Sequence, residues 1–193
     1  DIDAVYEKLK KSPFTIIGEP HPLKSVPTIR AMQVTGPGSE ILYLTAETRA
    51  RGKSRLPPPG RQIGRLFIVV VGGPDIVKLR DWYADTFTMK KNRIRESTGQ
   101  VVQQAWGLPD GSHPITLLRL REHGNSMELN GYPAGTGPRP RPEGGLPPGN
   151  AMATFSVENL DHLEVEFLTP PTRLAGAAYQ GRLAATVVGP AGE

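Results

Sequence analysis

The chain has 193 residues, 22 glycines, 20 prolines, no cysteine and a formal net charge of +4. Its length allows one large domain or two small ones, and the lack of cysteine excludes disulfides and thiolate metal sites, which fits a reducing compartment. No apolar run approaches a membrane span, and the N-terminus opens on Asp1-Ile2-Asp3 instead of a basic region followed by an apolar one, so a soluble, cytoplasmic protein is expected.

In chain order, residues 1–11 read as a helix with Ile2, Val5, Tyr6 and Leu9 on one face, ended before Ser12-Pro13. Short strands are predicted over 14–17, stopped by Gly18-Glu19-Pro20, then over 28–35 and 40–45, with Gly36-Pro37-Gly38 as the turn between the last two. Residues 49–65 are rich in proline, glycine and arginine and read as a solvated linker.

The six consecutive apolar residues 66–71 are too few for a buried helix, and their β-branching suits a central strand. Gly72-Gly73-Pro74 stops that strand. From Asp75, apolar residues fall at Ile76, Leu79, Trp82 and Tyr83, a helical spacing with Pro74 setting the entry and Asp75 favourable in the first turn. A strand is predicted over 89–95, a short helix over 97–106, and a break at Gly107-Leu108-Pro109-Asp110-Gly111. Residues 115–121 and 126–132 then form a hairpin across His123-Gly124-Asn125, ended by Pro133. Residues 134–149 make a second Pro/Gly-rich linker, in which Arg139 and Arg141 alternate with prolines and lack aromatic neighbours for base stacking, so no nucleic-acid partner is expected. Beyond it, 151–157 reads as a strand, 160–167 as a helix, Thr169-Pro170-Pro171-Thr172 as a breaker and 183–188 as a strand.

The helix-start pattern at Asp75-Ile76-Val77 recurs at Asp1-Ile2-Asp3 and at Asn159-Leu160-Asp161, at spacings too long for the usual solenoid periods. The turn Gly36-Pro37-Gly38-Ser39-Glu40 is echoed by Gly189-Pro190-Ala191-Gly192-Glu193. The chain thus reads as three copies of one unit: a partial βαβββ module lacking its first strand over 1–48, a linker over 49–65, a complete module over 66–133, a linker over 134–149, and a partial module over 150–193. The expected fold class is α+β, with repeated βαβββ modules forming cupped mixed sheets and helices outside. The third module is expected to pair with the second, the first belongs to a separate half, and both ends of the chain read as cut inside a repeat.

This order resembles the vicinal oxygen chelate superfamily, which includes glyoxalase I, bleomycin-resistance proteins and type I extradiol dioxygenases. The resemblance is carried by Phe67-Ile-Val-Val-Val-Gly-Gly-Pro-Asp75 with Asp81-Trp-Tyr83, by Met127-Glu-Leu-Asn-Gly-Tyr-Pro133, by 149–157 with Asn159-Leu-Asp161, and by 36–44. It implies a cupped sheet whose concave face holds a divalent metal, with a ligand on each opening strand and a carboxylate on each closing strand. Carried over, the opening positions are Ile68 and Met152 and the closing positions Tyr43 and Glu128. Ile68 and Met152 are not hard-metal ligands, so no metal is expected at the family's positions here.

Glu128 shares a strand face with Ser126, Asn130 and Tyr132, because alternate residues point the same way. The site expected is therefore catalytic or proton-handling at Glu128 and Tyr43, and ligand-binding at Ile68, Met152, Asn130 and Tyr132. Among the four histidines, His162 on a helix and His123 in a turn have ordinary solvated roles, while His21, between Pro20 and Pro22, sits on a loop able to reach the cup. Two functions stay open. One is a protein that binds a small aromatic or carboxylate ligand in the cup, as the antibiotic-sequestering members do. The other is a lyase or ring-cleaving dioxygenase whose Fe, Mn or Zn site is completed by segments outside this chain. The expected partners are a small molecule, with a homodimer as a candidate assembly and no membrane.

Overall fold

The computed structural model describes residues 1–49, 54, 56–98 and 111–193. Helix α1 spans Ile2–Leu9, and the Asp1 carboxylate caps it by accepting from the amides of Asp3 (3.0 Å) and Ala4 (3.1 Å). Strands β1 (Thr15–Pro22), β2 (Ile29–Thr35) and β3 (Ile41–Glu47) follow and form an antiparallel sheet in that order. The predicted helix and three strands are all present. Strand β1 nevertheless runs past Gly18-Glu19-Pro20, because it is an edge strand and two register shifts, between Ile16 and Gly18 and between Gly18 and His21, take the proline out of the ladder. One face of this sheet packs Met32 and Val34 against Ile2, with Tyr6, Leu9, Leu42 and Leu44 around them. Gln33 and Tyr43, which pair across β2 and β3, therefore stand on the opposite face.

The second unit is strand β4 (Ile68–Gly73), helix α2 (Ile76–Thr86), and strands β5 (Arg95–Ser97), β6 (His113–Arg119) and β7 (Ser126–Gly131). Asp75, expected in the first turn, instead caps α2 by accepting from the Lys78 amide at 2.9 Å. The strands lie in the order β4-β7-β6-β5, with β4 parallel to β7 and the other pairs antiparallel, so the sheet is mixed. The strand predicted over 89–95 pairs only from Arg95. Before it, side chains replace the ladder: the Asn92 amide donates to the Leu117 carbonyl at 2.6 Å, and the Thr116 hydroxyl donates to the Arg93 carbonyl. The helix predicted over 97–106, with its break at 107–111, falls almost wholly outside the described residues. Leu118, Met127 and Leu129 on one sheet face close a core with Ile76, Leu79, Tyr83 and Ala84 of α2. Each fully buried side chain of this kind stabilises the fold by about 1.5–3 kcal/mol.

The last unit departs most from expectation. Residues 151–157 make no ladder, although Phe155 packs beside Phe87, with ring centroids 6.5 Å apart. The predicted helix over 160–167 shortens to a 3-10 turn at Leu160–His162, with none of its residues buried. A short helix holds only when its apolar face is buried, and no residue of this one is. Thr169-Pro170-Pro171-Thr172, expected to break structure, lies in strand β8 (Thr169–Arg173), antiparallel to β9 (Leu183–Thr186). Prolines are tolerated there because each strand of a two-stranded sheet has an open edge.

Residues 150–193 share no ladder with the four-stranded sheet and meet the second unit on its helix side. Ala191 packs against the α2 core, and the Tyr83 hydroxyl donates to Glu193 Oε1 at 2.6 Å. Residues 139–150 instead strap the β2–β3 turn: the Gly149 amide donates to the Gly38 carbonyl (2.7 Å), the Asn150 amide to the Ile41 carbonyl (3.1 Å), and Arg139 donates to the carbonyls of Pro148 and Asn150. Among the described residues no helix is long and apolar enough to cross a membrane.

Candidate functional site

The free face of the second sheet follows from its register. Met127 and Leu129 point into the α2 core, so Ser126, Glu128 and Asn130 point away from it. Beside them stand Ile68, Val70 and Gly72 of β4, paired with Ser126, Glu128 and Asn130 respectively. On the other flank Leu117 pairs with Glu128 and Ile115 with Asn130. Ile68, Val70 and Leu117 leave apolar surface exposed on this face. Tyr132 follows β7 and folds back over β4: a Cβ built on Gly72 would fall inside the Tyr132 ring. Only glycine allows that approach.

Glu128 is half-buried, and loss of water around it pushes its carboxyl pKa up, opposed in part by the Asn130 amide, which donates to Oε1 at 3.3 Å. Asn130 is 2 % exposed and its Oδ1 lies 3.2 Å from Nε2 of His113, itself 3 % exposed. The Tyr132 phenol is also pushed up, chiefly by burial and also by the Glu128 charge, with Arg139 opposing.

Tyr43 arrives from the other sheet. It keeps 44 % of its surface exposed, so it is not enclosed. Its phenol is pushed up to about 12, first by burial and then by the charges of Glu128 and Tyr132. The structure thus brings four predicted residues into one electrostatic neighbourhood, Tyr43, Glu128, Asn130 and Tyr132, with Ile68 on the adjoining strand. The phenol that feels these charges belongs to the first unit, where sequence reasoning expected the third to lie alongside. Met152 is 60 % exposed and lies on no strand of either sheet.

Of the histidines weighed from sequence, His21 is on β1 and donates through Nδ1 to the Glu19 carbonyl at 2.8 Å, His123 bonds the Ser54 carbonyl through Nε2 at 3.3 Å, and His162 is in the 3-10 turn. His113 is the residue that sequence reasoning passed over. Its signal was the alternation His113, Ile115, Leu117, which a strand start placed at Ile115 cut short.

The resemblance read from sequence implies a divalent metal on this face, and the donor set can be tested against one. Around Glu128 stand two phenols whose raised pKa keeps them protonated, an amide already bonded to the carboxylate, and aliphatic side chains. Among the described residues no three His, Cys, Asp or Glu side chains come together. One carboxylate with neutral neighbours does not fit a catalytic Zn, Fe or Mn ion. A separate cavity of about 200 Å3 lies at the start of α2, lined by Gly73, Pro74, Asp75, Lys78, Pro190 and Ala191 among others.

No family model matches the chain, and no curated protein matches it. Solved structures do. The backbone is similar to that of glyoxalase I from Zea mays. The match to the crystal structure of that enzyme has a TM-score of 0.47 at 20% identity. Two crystal structures of its point mutants give 0.49 at 20% and 0.48 at 21%. These matches cover 70–71% of this chain and only 40–42% of the glyoxalase chains, so the chain spans less than half the length of the proteins it is similar to.

Proposed function

We propose that this chain binds a small organic ligand on the face shared by β3 and the four-stranded sheet. The observation that carries the reading is the water-shielded Glu128, bonded to the buried Asn130, beside the exposed Ile68, Val70 and Leu117, with Tyr43 of the other sheet near enough for the Glu128 and Tyr132 charges to act on its phenol. Apolar surface left uncovered next to a desolvated carboxylate is the composition of a binding site: burial supplies affinity, and the few polar groups fix orientation. The ligand's apolar or aromatic body lies on Ile68, Val70 and Leu117, while Glu128, Tyr43 and Tyr132 face its polar substituents. Asn130 acts behind Glu128. The donor set favours a ligand-sequestering role over metal-assisted lyase or ring-cleavage chemistry by these residues.

Calorimetric titration with a panel of small aromatic alcohols, amines and carboxylates tests this, comparing the native chain with Ile68→Trp. At least one compound is expected to bind, and the indole, which fills the face, is expected to weaken it at least tenfold. Binding of every hit unchanged by Ile68→Trp would place the site elsewhere.

A further inference from the structure

The sheet face that carries the proposed site buries one polar line whose purpose the fold alone does not supply. His113 and Asn130 are almost fully buried on it, and burying an imidazole and an amide is costly unless each is bonded. Their bonds run in one direction. A carboxylate only accepts, so the Asn130 group facing Glu128 Oε1 at 3.3 Å is its NH2. Its carbonyl oxygen therefore faces His113, and at 3.2 Å it accepts from Nε2, which must carry the proton. The tautomer of His113 thus fixes the amide, and the amide fixes one oxygen of Glu128. The other oxygen, Oε2, has no hydrogen-bond partner among the described residues. On the facing sheet Gln33, the cross-strand partner of Tyr43, is 4 % exposed with an unbonded Oε1, a second acceptor without a donor.

We infer that the ligand is a hydrogen-bond donor, an O–H or N–H compound bound to Glu128 Oε2, and that His113 and Asn130 are positioning residues which hold that oxygen toward it. The inference rests on the binding site proposed above and narrows its ligand class, setting carboxylate ligands aside. An acceptor-only ligand would leave Oε2 unbonded, and an anionic one would place like charges together.

Three probes with one apolar body separate the cases: 4-methylphenol, which donates, 4-methylanisole, which does not, and 4-methylbenzoate, an anionic acceptor. The native chain is expected to bind 4-methylphenol at least tenfold more tightly than either of the others, a single hydrogen bond to a charged acceptor being worth about that factor. In Glu128→Leu the preference is expected to vanish. His113→Leu is expected to reduce 4-methylphenol affinity with Glu128 intact, whereas His113→Gln, whose amide N–H can replace Nε2–H, restores it; a merely structural histidine would not be rescued in this selective way. Should His113→Leu fail to fold, the probe ratio in the native chain and in Glu128→Leu still decides. Equal binding of all three probes, or tighter binding of 4-methylanisole or 4-methylbenzoate, overturns the inference and leaves the proposed site standing. Binding of none overturns both.

Discussion

The ring of Tyr132 occupies the space above Gly72, where any side chain would have to stand. A strand residue and the residue that follows a neighbouring strand thereby share one volume. The atoms that a new Cβ would meet belong to the far end of the ring, which can swing away. Gly72→Ala is therefore expected to fold with a stability within about 1 kcal/mol of the native chain, while driving Tyr132 off the sheet. Phenol absorbance across a pH titration checks it: the Tyr132 transition, raised by burial in the native chain, should move back toward 10, the ordinary phenol value.

Two adjacent leucines on β6 face opposite ways. Leu118 is fully buried against α2, and Leu118→Ala is expected to cost about 2–5 kcal/mol by denaturant titration. Leu117 is 40 % exposed on the site face, and Leu117→Ala is expected to cost less than about 0.5 kcal/mol while weakening an apolar ligand severalfold. Equal stability losses at the two positions would contradict the register on which the site is built.

Glu128 gives the pH dependence a definite sign. Burial raises its folded pKa above the ordinary 4.5 of an unfolded chain. Below 4.5 both states hold the proton and the group is neutral to stability. As pH rises, the unfolded chain releases the proton first, so stability falls until the folded carboxyl also ionises. Glu128→Gln removes this penalty. Relative to the native chain, its urea midpoint is expected to gain on raising the pH from 4 to 7, and a constant difference across that window would show that Glu128 is not desolvated.

Arg139 joins the strap to the site. Its guanidinium holds the carbonyls of Pro148 and Asn150, and its charge lowers the Tyr132 pKa. Arg139→Ala is expected to shift the Tyr132 titration upward and to speed proteolysis within 139–150. The rest of the fold should change by less than about 1 kcal/mol, since the side chain is exposed.

Legibility in the sequence tracked how local the deciding physics was. The run 66–71 and the break at Pro74-Asp75 are local signals: β4 is shifted two residues later than expected and runs through Gly72 and Gly73, and α2 begins just after Asp75, which serves as its cap and not as a first-turn residue. The alternation of Met127 and Leu129 with Glu128 and Asn130 likewise separated the core-facing side of β7 from the opposite one. The pattern at Asn159-Leu160-Asp161 is as good a helix start, and its Asn159 cap does form, but the turn buries none of its residues and the helix does not continue past His162. Periodicity reports what a segment can bury, not whether a partner is there. Which unit comes near Glu128 is a question of the same kind: nothing near Tyr43 in sequence reports that its phenol will feel the Glu128 charge. His113 was hidden by Pro114, which reads as a strand boundary and is instead the second residue of β6.

The strap across the β2–β3 turn sets an order of events during synthesis. The hydrogen bond from Asn150 to the Ile41 carbonyl joins residues 109 positions apart, whereas the hairpin it clamps closes over a turn of a few residues. A chain emerging N-terminus first can form α1 and β1–β3 early, but the carbonyls of Gly38 and Ile41 stay bonded to water until residues 139–150 have left the ribosome and the long loop has closed. The first unit is therefore complete only after the second has been made, and a nascent chain stopped near residue 135 would carry that turn unclamped.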